Sequence, residues 1–181
     1  DGETQWLGAA VIEATNAGDL LAASSTMHWG NYSAAYSAVS SGGTMASLPS
    51  ATRRNNLEAT DTTPGTGANW RQYTGVIVQN LDAAQTANLT VYWYDRNGVE
   101  LHQFTDTIPA NSAHGYNSRY PATSEIPTDE AVFNSAIGDD WNGSVVIEST
   151  NGVEVVAVAN LQWTADHSAG AAASAYTSEA G

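Results

Sequence analysis

Any chemistry in this chain must come from four histidines, a scatter of carboxylates and one dense aromatic run, because it has neither cysteine nor lysine. The histidines are His28, His102, His114 and His167, and no two stand at the H-x-x-x-H spacing that brings a pair of imidazoles to one metal. They read as surface or hydrogen-bonded core residues. No G-x-S-x-G elbow presents a serine nucleophile. Glu13 and Glu148 fall at matching places in two similar stretches, and paired carboxylates can do acid–base work. Each also reads as a solvent-facing strand glutamate. Asp129-Glu130 and Asp139-Asp140 offer oxygen ligands for calcium, against the plainer reading of a helix N-terminus and a solvated turn. Asp95-Arg96-Asn97-Gly98 is too short for a calcium loop and reads as a hairpin turn. The expectation is a protein that is not an enzyme, with no catalytic residues and no metal site; calcium is the one cofactor left open.

The aromatic residues carry more. In Tyr92-Trp93-Tyr94 the alternation of a strand sends Trp93 to one face and both tyrosines to the other. One face should be core, and the other would present rings for sugar stacking or for contact between subunits. Trp70, Tyr92, Trp93 and Tyr94 are therefore the candidate glycan-stacking residues. Asn31, Asn88 and Asn142 head N-x-S/T sequons, and Asn142, in an expected turn, is the best placed for glycosylation.

The elements that would position these groups are written twice. Gln5–Trp29 resembles Asp140–Trp163: Trp6 aligns with Trp141, Gly8 with Gly143, Val11-Ile12-Glu13 with Val146-Ile147-Glu148, and Trp29 with Trp163. The offset is 135 residues at the first tryptophan (6 to 141) and 134 at the last (29 to 163), so one residue of slack sits in the turn. Each copy reads as a β-hairpin closed by an Asn-Gly type turn, Asn16-Ala17-Gly18 and Asn151-Gly152. In the second copy Val155, Ala157, Ala159, Leu161 and Trp163 form the expected core face. Ala175-Tyr176-Thr177 near the end echoes Ala35-Tyr36-Ser37.

Between the copies, strands are expected at 32–39, up to Leu48-Pro49, at 70–81, 86–95, 99–108 and 112–116. A helix is expected near 128–135 with Thr128 as its N-cap, and the stretch 52–59 is a weaker helical candidate. Strands of this length, punctuated by turns and without a sustained helical period, argue for an all-β fold, an antiparallel Ig-like or jelly-roll-type sandwich, with a barrel as the lesser alternative. The domain reading is an N-terminal half-module over 1–43 and a main sandwich over 44–181. With 19 acidic against 5 basic residues and a net charge of −14, the surface repels phosphates and anionic lipid, and no run of 18 apolar residues offers a transmembrane helix, so the expectation is no nucleic-acid partner and no membrane insertion. Without lysine, no isopeptide staple or lysine crosslink can form. Asp1 in place of an initiator Met is read either as a trimmed chain or as the mature end left by signal cleavage.

The first copy has no strands before it to pack against, and an isolated hairpin is barely stable in water. Either both copies flank the same central strands in one pseudo-symmetric sandwich, or an edge left open is completed by another subunit. The latter makes Val11, Ile12, Leu21, Met27, Trp29 and Tyr176 the candidate interface. In its order of W-x-G-x-x-V-I-E, Leu-Pro, T-G-V-I-V-Q-N-L (74–81), Y-D-R-N-G (94–98) and D-T-I-P-A-N-S (106–112), the chain resembles the tandem β-sandwich repeats of large secreted bacterial surface proteins. That resemblance implies an extracellular coat, stalk or adhesive module without catalytic residues. The expected function is a subunit of a non-covalent surface filament or stalk, a head-to-tail homopolymer built by strand pairing. The alternative is a carbohydrate-binding or adhesion module.

Overall fold

The computed structural model describes residues 10–16, 21–29, 32–39, 41–54, 70–118, 124–165, 171–177 and 179–180. Period-two alternation decides most of it. In β5 (Ala87–Asp95) the odd-numbered residues from Ala87 to Trp93 are buried, and in β8 (Asp140–Ser149) those from Trp141 to Ser149 are, while their neighbours point outward. Each strand thus presents one apolar face, which must find another sheet.

The partners are antiparallel throughout. β5 pairs with β6 (Glu100–Ile108) on one edge and β8 on the other; β8 pairs with β3 (Met45–Arg54), whose other edge takes β11 (Glu179–Ala180) at Ala46 and Ser47. The second layer centres on β4 (Trp70–Asn80), which pairs with β9 (Val155–Ala165) over its whole length and with β7 (Ala113–Asn117) on its other edge; β9 in turn pairs with β10 (Ala171–Thr177). The layers join at one corner, where Arg53 and Arg54 of β3 face Tyr73 and Gln72 of β4. Leu48, Val91, Trp93, Val145 and Ile147 from one layer meet Val76, Val78, Val155, Ala157 and Leu161 from the other in a single core. The fold is an all-β sandwich of antiparallel sheets, as expected.

Helix α1 (Glu130–Ile137) buries Phe133 and Ile137. Its N-cap is Asp129 rather than Thr128: the Asp129 carboxylate accepts from the Ala131 and Val132 amides, and Gly138 ends the helix at positive φ. Thr128 instead places its hydroxyl 3.1 Å from Nε2 of His102. Among the described residues no helix is long and apolar enough to cross a membrane.

Three sequence expectations are corrected. β3 does not stop at Pro49 but runs on to Arg54, because its ladder to β8 shifts register between Leu48 and Ala51, and a bulge spares proline the missing hydrogen bond. That strand also takes up residues 52–54, the start of the weaker helical candidate; 55–59 lie outside the described residues. Asn151-Gly152 is a turn, with Gly152 at φ +80°, yet β8 and β9 are not a hairpin. They lie in different layers, so the turn is an arch across the core. Finally, residues 10–14 carry no strand; β1 spans only Ser24–Trp29 and pairs with β2 (Tyr32–Ser37) in a separate two-stranded sheet.

Candidate assembly surface

The twice-written W-x-G motif has a local purpose where the structure describes it. The Trp141 indole N–H donates to the Tyr94 carbonyl at 3.0 Å, tying β8 to the end of β5 beside the Trp93/Tyr94 bulge. Gly143 sits against that same carbonyl, and a Cβ there would collide with it. The arch is fastened too: the Asn151 side chain donates to the Thr86 carbonyl at 2.8 Å and accepts from the Asn88 amide at 3.0 Å. Trp6, Gly8 and Ala17-Gly18, the corresponding residues of the first copy, lie outside the described residues.

Trp93 is fully buried, edge-on to Phe133 at 5.2 Å and beside Trp141 at 5.3 Å. It is a core residue, which removes it from the candidate stacking set. Alternation then leaves Tyr92 and Tyr94 together on the outer face, rings 6.1 Å apart and inclined by 23°. The Tyr92 hydroxyl donates to the Glu148 carboxylate at 3.2 Å, so Glu148 is a solvent-facing strand residue. Trp70 opens β4, opposite Ala165 of β9, and so stands on a different strand from the tyrosines. Asn88 and Asn142 are exposed, but Asn142 lies in β8 opposite Thr52 and not in a turn. Asn31 lies outside the described residues.

The carboxylates raised for calcium have other partners. Asp139 lies 3.5 Å from the buried Arg53 and Asp140 lies 3.7 Å from Arg54, while Asp129 caps α1. Arg53 also donates to the Asn134 side chain, and its burial lowers the guanidinium pKa against the pull of Asp139. Among the described residues no three His, Cys, Asp or Glu side chains gather as a metal site. One polar cluster was missed in the sequence. Asp106 of β6 accepts from the Tyr116 hydroxyl and from Nδ1 of His114, each at 2.7 Å, and so links the two layers. Burial first, and Asp106 next, push the Tyr116 phenol far above its usual pKa, so it stays a donor. The partners come from strands of different layers, and no motif announces that. Burial also lowers the His102 pKa despite nearby Glu100, which suits a neutral ring packed edge-on to Phe133 at 5.5 Å.

The candidate interface residues divide by place. Val11, Ile12 and Leu21 are exposed; Met27 and Trp29 lie in β1; Tyr176 lies in β10, opposite Ala159 and on a strand that runs beside β2. Ile12 is 65% and Leu21 57% exposed, whereas Ile147 and Val155, the residues aligned with them, are completely buried. Tyr36 faces Ser25 across β1–β2, and Tyr176 faces Ala159 across β9–β10, two pairs that the sequence alignment sets at matching positions. Among the described residues β1 pairs with β2 alone, and β4 has β9 on one edge and β3 and β7 on the other, so the described part of the first copy does not flank the central strands as a pseudo-symmetric sandwich would require. No family model, curated protein or solved structure matches the chain.

Proposed function

We propose that the chain is a non-catalytic structural module of an extracellular surface stalk, joined to a neighbouring module of like design by β-strand pairing. The observation that carries this is the contrast between Ile12 and Leu21, exposed, and Ile147 and Val155, buried in the sandwich core. Two side chains of this size left in water forgo about 1.5–3 kcal/mol each, a cost that a covering neighbour removes. The neighbour is not an intact second copy, whose own β8 and β9 already fill the place that the N-terminal stretch would take. The reading therefore narrows the homopolymer to an assembly with modules whose place is open. The test is co-expression of the whole chain with a companion cut after residue 139, which lacks β8 to β11. Sedimentation should show a one-to-one complex, lost in the Ile12→Asn, Leu21→Asn double variant. A whole chain that never binds the companion sinks the reading.

A second reading is favoured by the paired Tyr92 and Tyr94 rings, a ready platform for the apolar face of a sugar. The carboxylate of Glu148 and the net charge of −14 favour a neutral glycan over an acidic one. In affinity electrophoresis through neutral glucans, xylans and mannans, migration of the wild type should slow, and Tyr92→Ala should restore it. Unretarded migration in all three would end this reading.

A further inference from the structure

Among the described residues the two-stranded sheet β1–β2 has a free side, and its geometry is determined. The Ala38 amide donates to the Ala23 carbonyl at 2.9 Å, which makes 23/38 a hydrogen-bonded pair of the antiparallel ladder. In such a ladder, hydrogen-bonded and non-hydrogen-bonded pairs alternate. Ser25, Met27 and Trp29 therefore spend their backbone groups on Tyr36, Ala34 and Tyr32. The backbone N–H and C=O of Ser24, Thr26 and His28 point away from β2, along an edge with no paired strand among the described residues.

The same rule applied to β9 says what belongs there. The Leu81 amide donates to the Glu154 carbonyl at 3.1 Å, so the even-numbered residues of β9 are those bonded to β4. Val158, Asn160 and Gln162 thus pair with Ile77, Gly75 and Tyr73. The 134-residue offset carries Ser24, Thr26 and His28 onto Val158, Asn160 and Gln162 (24 to 158), and the matching Tyr36–Ser25 and Tyr176–Ala159 pairs agree. We infer that the free edge of β1 takes a strand of the β4 kind from another module, with residues in the places of Ile77, Gly75 and Tyr73 opposite Ser24, Thr26 and His28. The inference rests on the assembly reading above and adds to it the strand, the edge and the register. The chain's own β4 cannot serve, since both its edges are used.

The probe is a synthetic peptide of residues 70–80, added to the whole chain while amide exchange is followed by NMR. The Thr26 and His28 amides should exchange about tenfold more slowly or better at saturation, as newly paired strand amides do. A peptide carrying Gly75→Pro and Ile77→Pro lacks two of the needed donors and should give no protection. In the chain, Thr26→Pro should abolish the effect and leave the Ala34 and Tyr36 amides protected, because the Thr26 N–H is not part of the β1–β2 ladder. Unchanged exchange at 26 and 28, or equal protection by the proline peptide, overturns the inference. The two readings separate cleanly. A chain that binds the truncated companion but not the peptide loses this edge and keeps the assembly; one that binds the peptide alone keeps the edge and loses the assembly.

Discussion

At the scale of single residues, what the chain cannot exchange is set by backbone approach more than by polarity. Gly143 and Gly75 are both strand glycines, and neither has a positive φ. An added Cβ at Gly75 would meet nothing nearer than 3.8 Å, whereas at Gly143 it would strike the Tyr94 carbonyl that receives the Trp141 indole N–H. Gly143→Ala must push β8 off β5 or break that hydrogen bond, a cost of about 2–3 kcal/mol by analogy with overpacked cores. Gly75→Ala should be neutral or slightly stabilising, since it removes only unfolded-state entropy. Urea unfolding of the pair checks this, and equal midpoints would show that W-x-G is not a steric motif. The sequence makes the motif visible by writing it twice. What it cannot show is the Tyr94 carbonyl it serves, which comes from a strand some fifty residues away, roughly the separation of Trp141 and Tyr94.

At the scale of elements, legibility followed how local each cause was. Strands β4 to β7 were readable because β-branched and aromatic alternation is written in the strand itself. The Asp95 turn was readable for the same reason: its carboxylate accepts from the Asn97 and Val99 amides, and Gly98 supplies the positive φ. The Asn151-Gly152 turn has an equally good hairpin signature, yet it arches between layers. Its side chain is engaged by Thr86 and Asn88 of a distant segment, and β3 and β5 occupy both edges of β8. A turn signal reports backbone conformation and leaves open whether the strands on either side pair. Pro49 taught the converse, that a bulge lets a strand run through a residue read as a stop. The glycan strip failed by half for a similar reason: alternation split Tyr92-Trp93-Tyr94 correctly, but only the packing of Phe133 from α1 and of Trp141 says which side is the core.

At the scale of the whole molecule, the decisive quantity is the imbalance of 19 acidic against 5 basic residues. Salt acts on it in two opposing ways. It weakens the ion pairs of Arg53 with Asp139 and of Arg54 with Asp140, whose carboxylates are 72% and 73% exposed, and such pairs contribute about 0–1 kcal/mol each. It also screens the mutual repulsion of the excess carboxylates, over a Debye length that falls from about 30 Å at 0.01 M to about 8 Å at 0.15 M. With a net charge of −14 and only five cations to form pairs, repulsion outweighs attraction, so folding should be favoured by salt. The same sign should hold for association, because a module of like design is acidic too. The expected result is a Tm that rises by a few degrees between low and physiological ionic strength, followed by circular dichroism in sodium chloride; a shift of 2–4 °C corresponds to about 1 kcal/mol for a chain of this length. Binding of the truncated companion should tighten over the same range. A Tm that falls with salt would mean that the arginine pairs at the β3 corner outweigh the acidic surface, and the interface would then have to be sought among opposite charges instead of along the β1 edge.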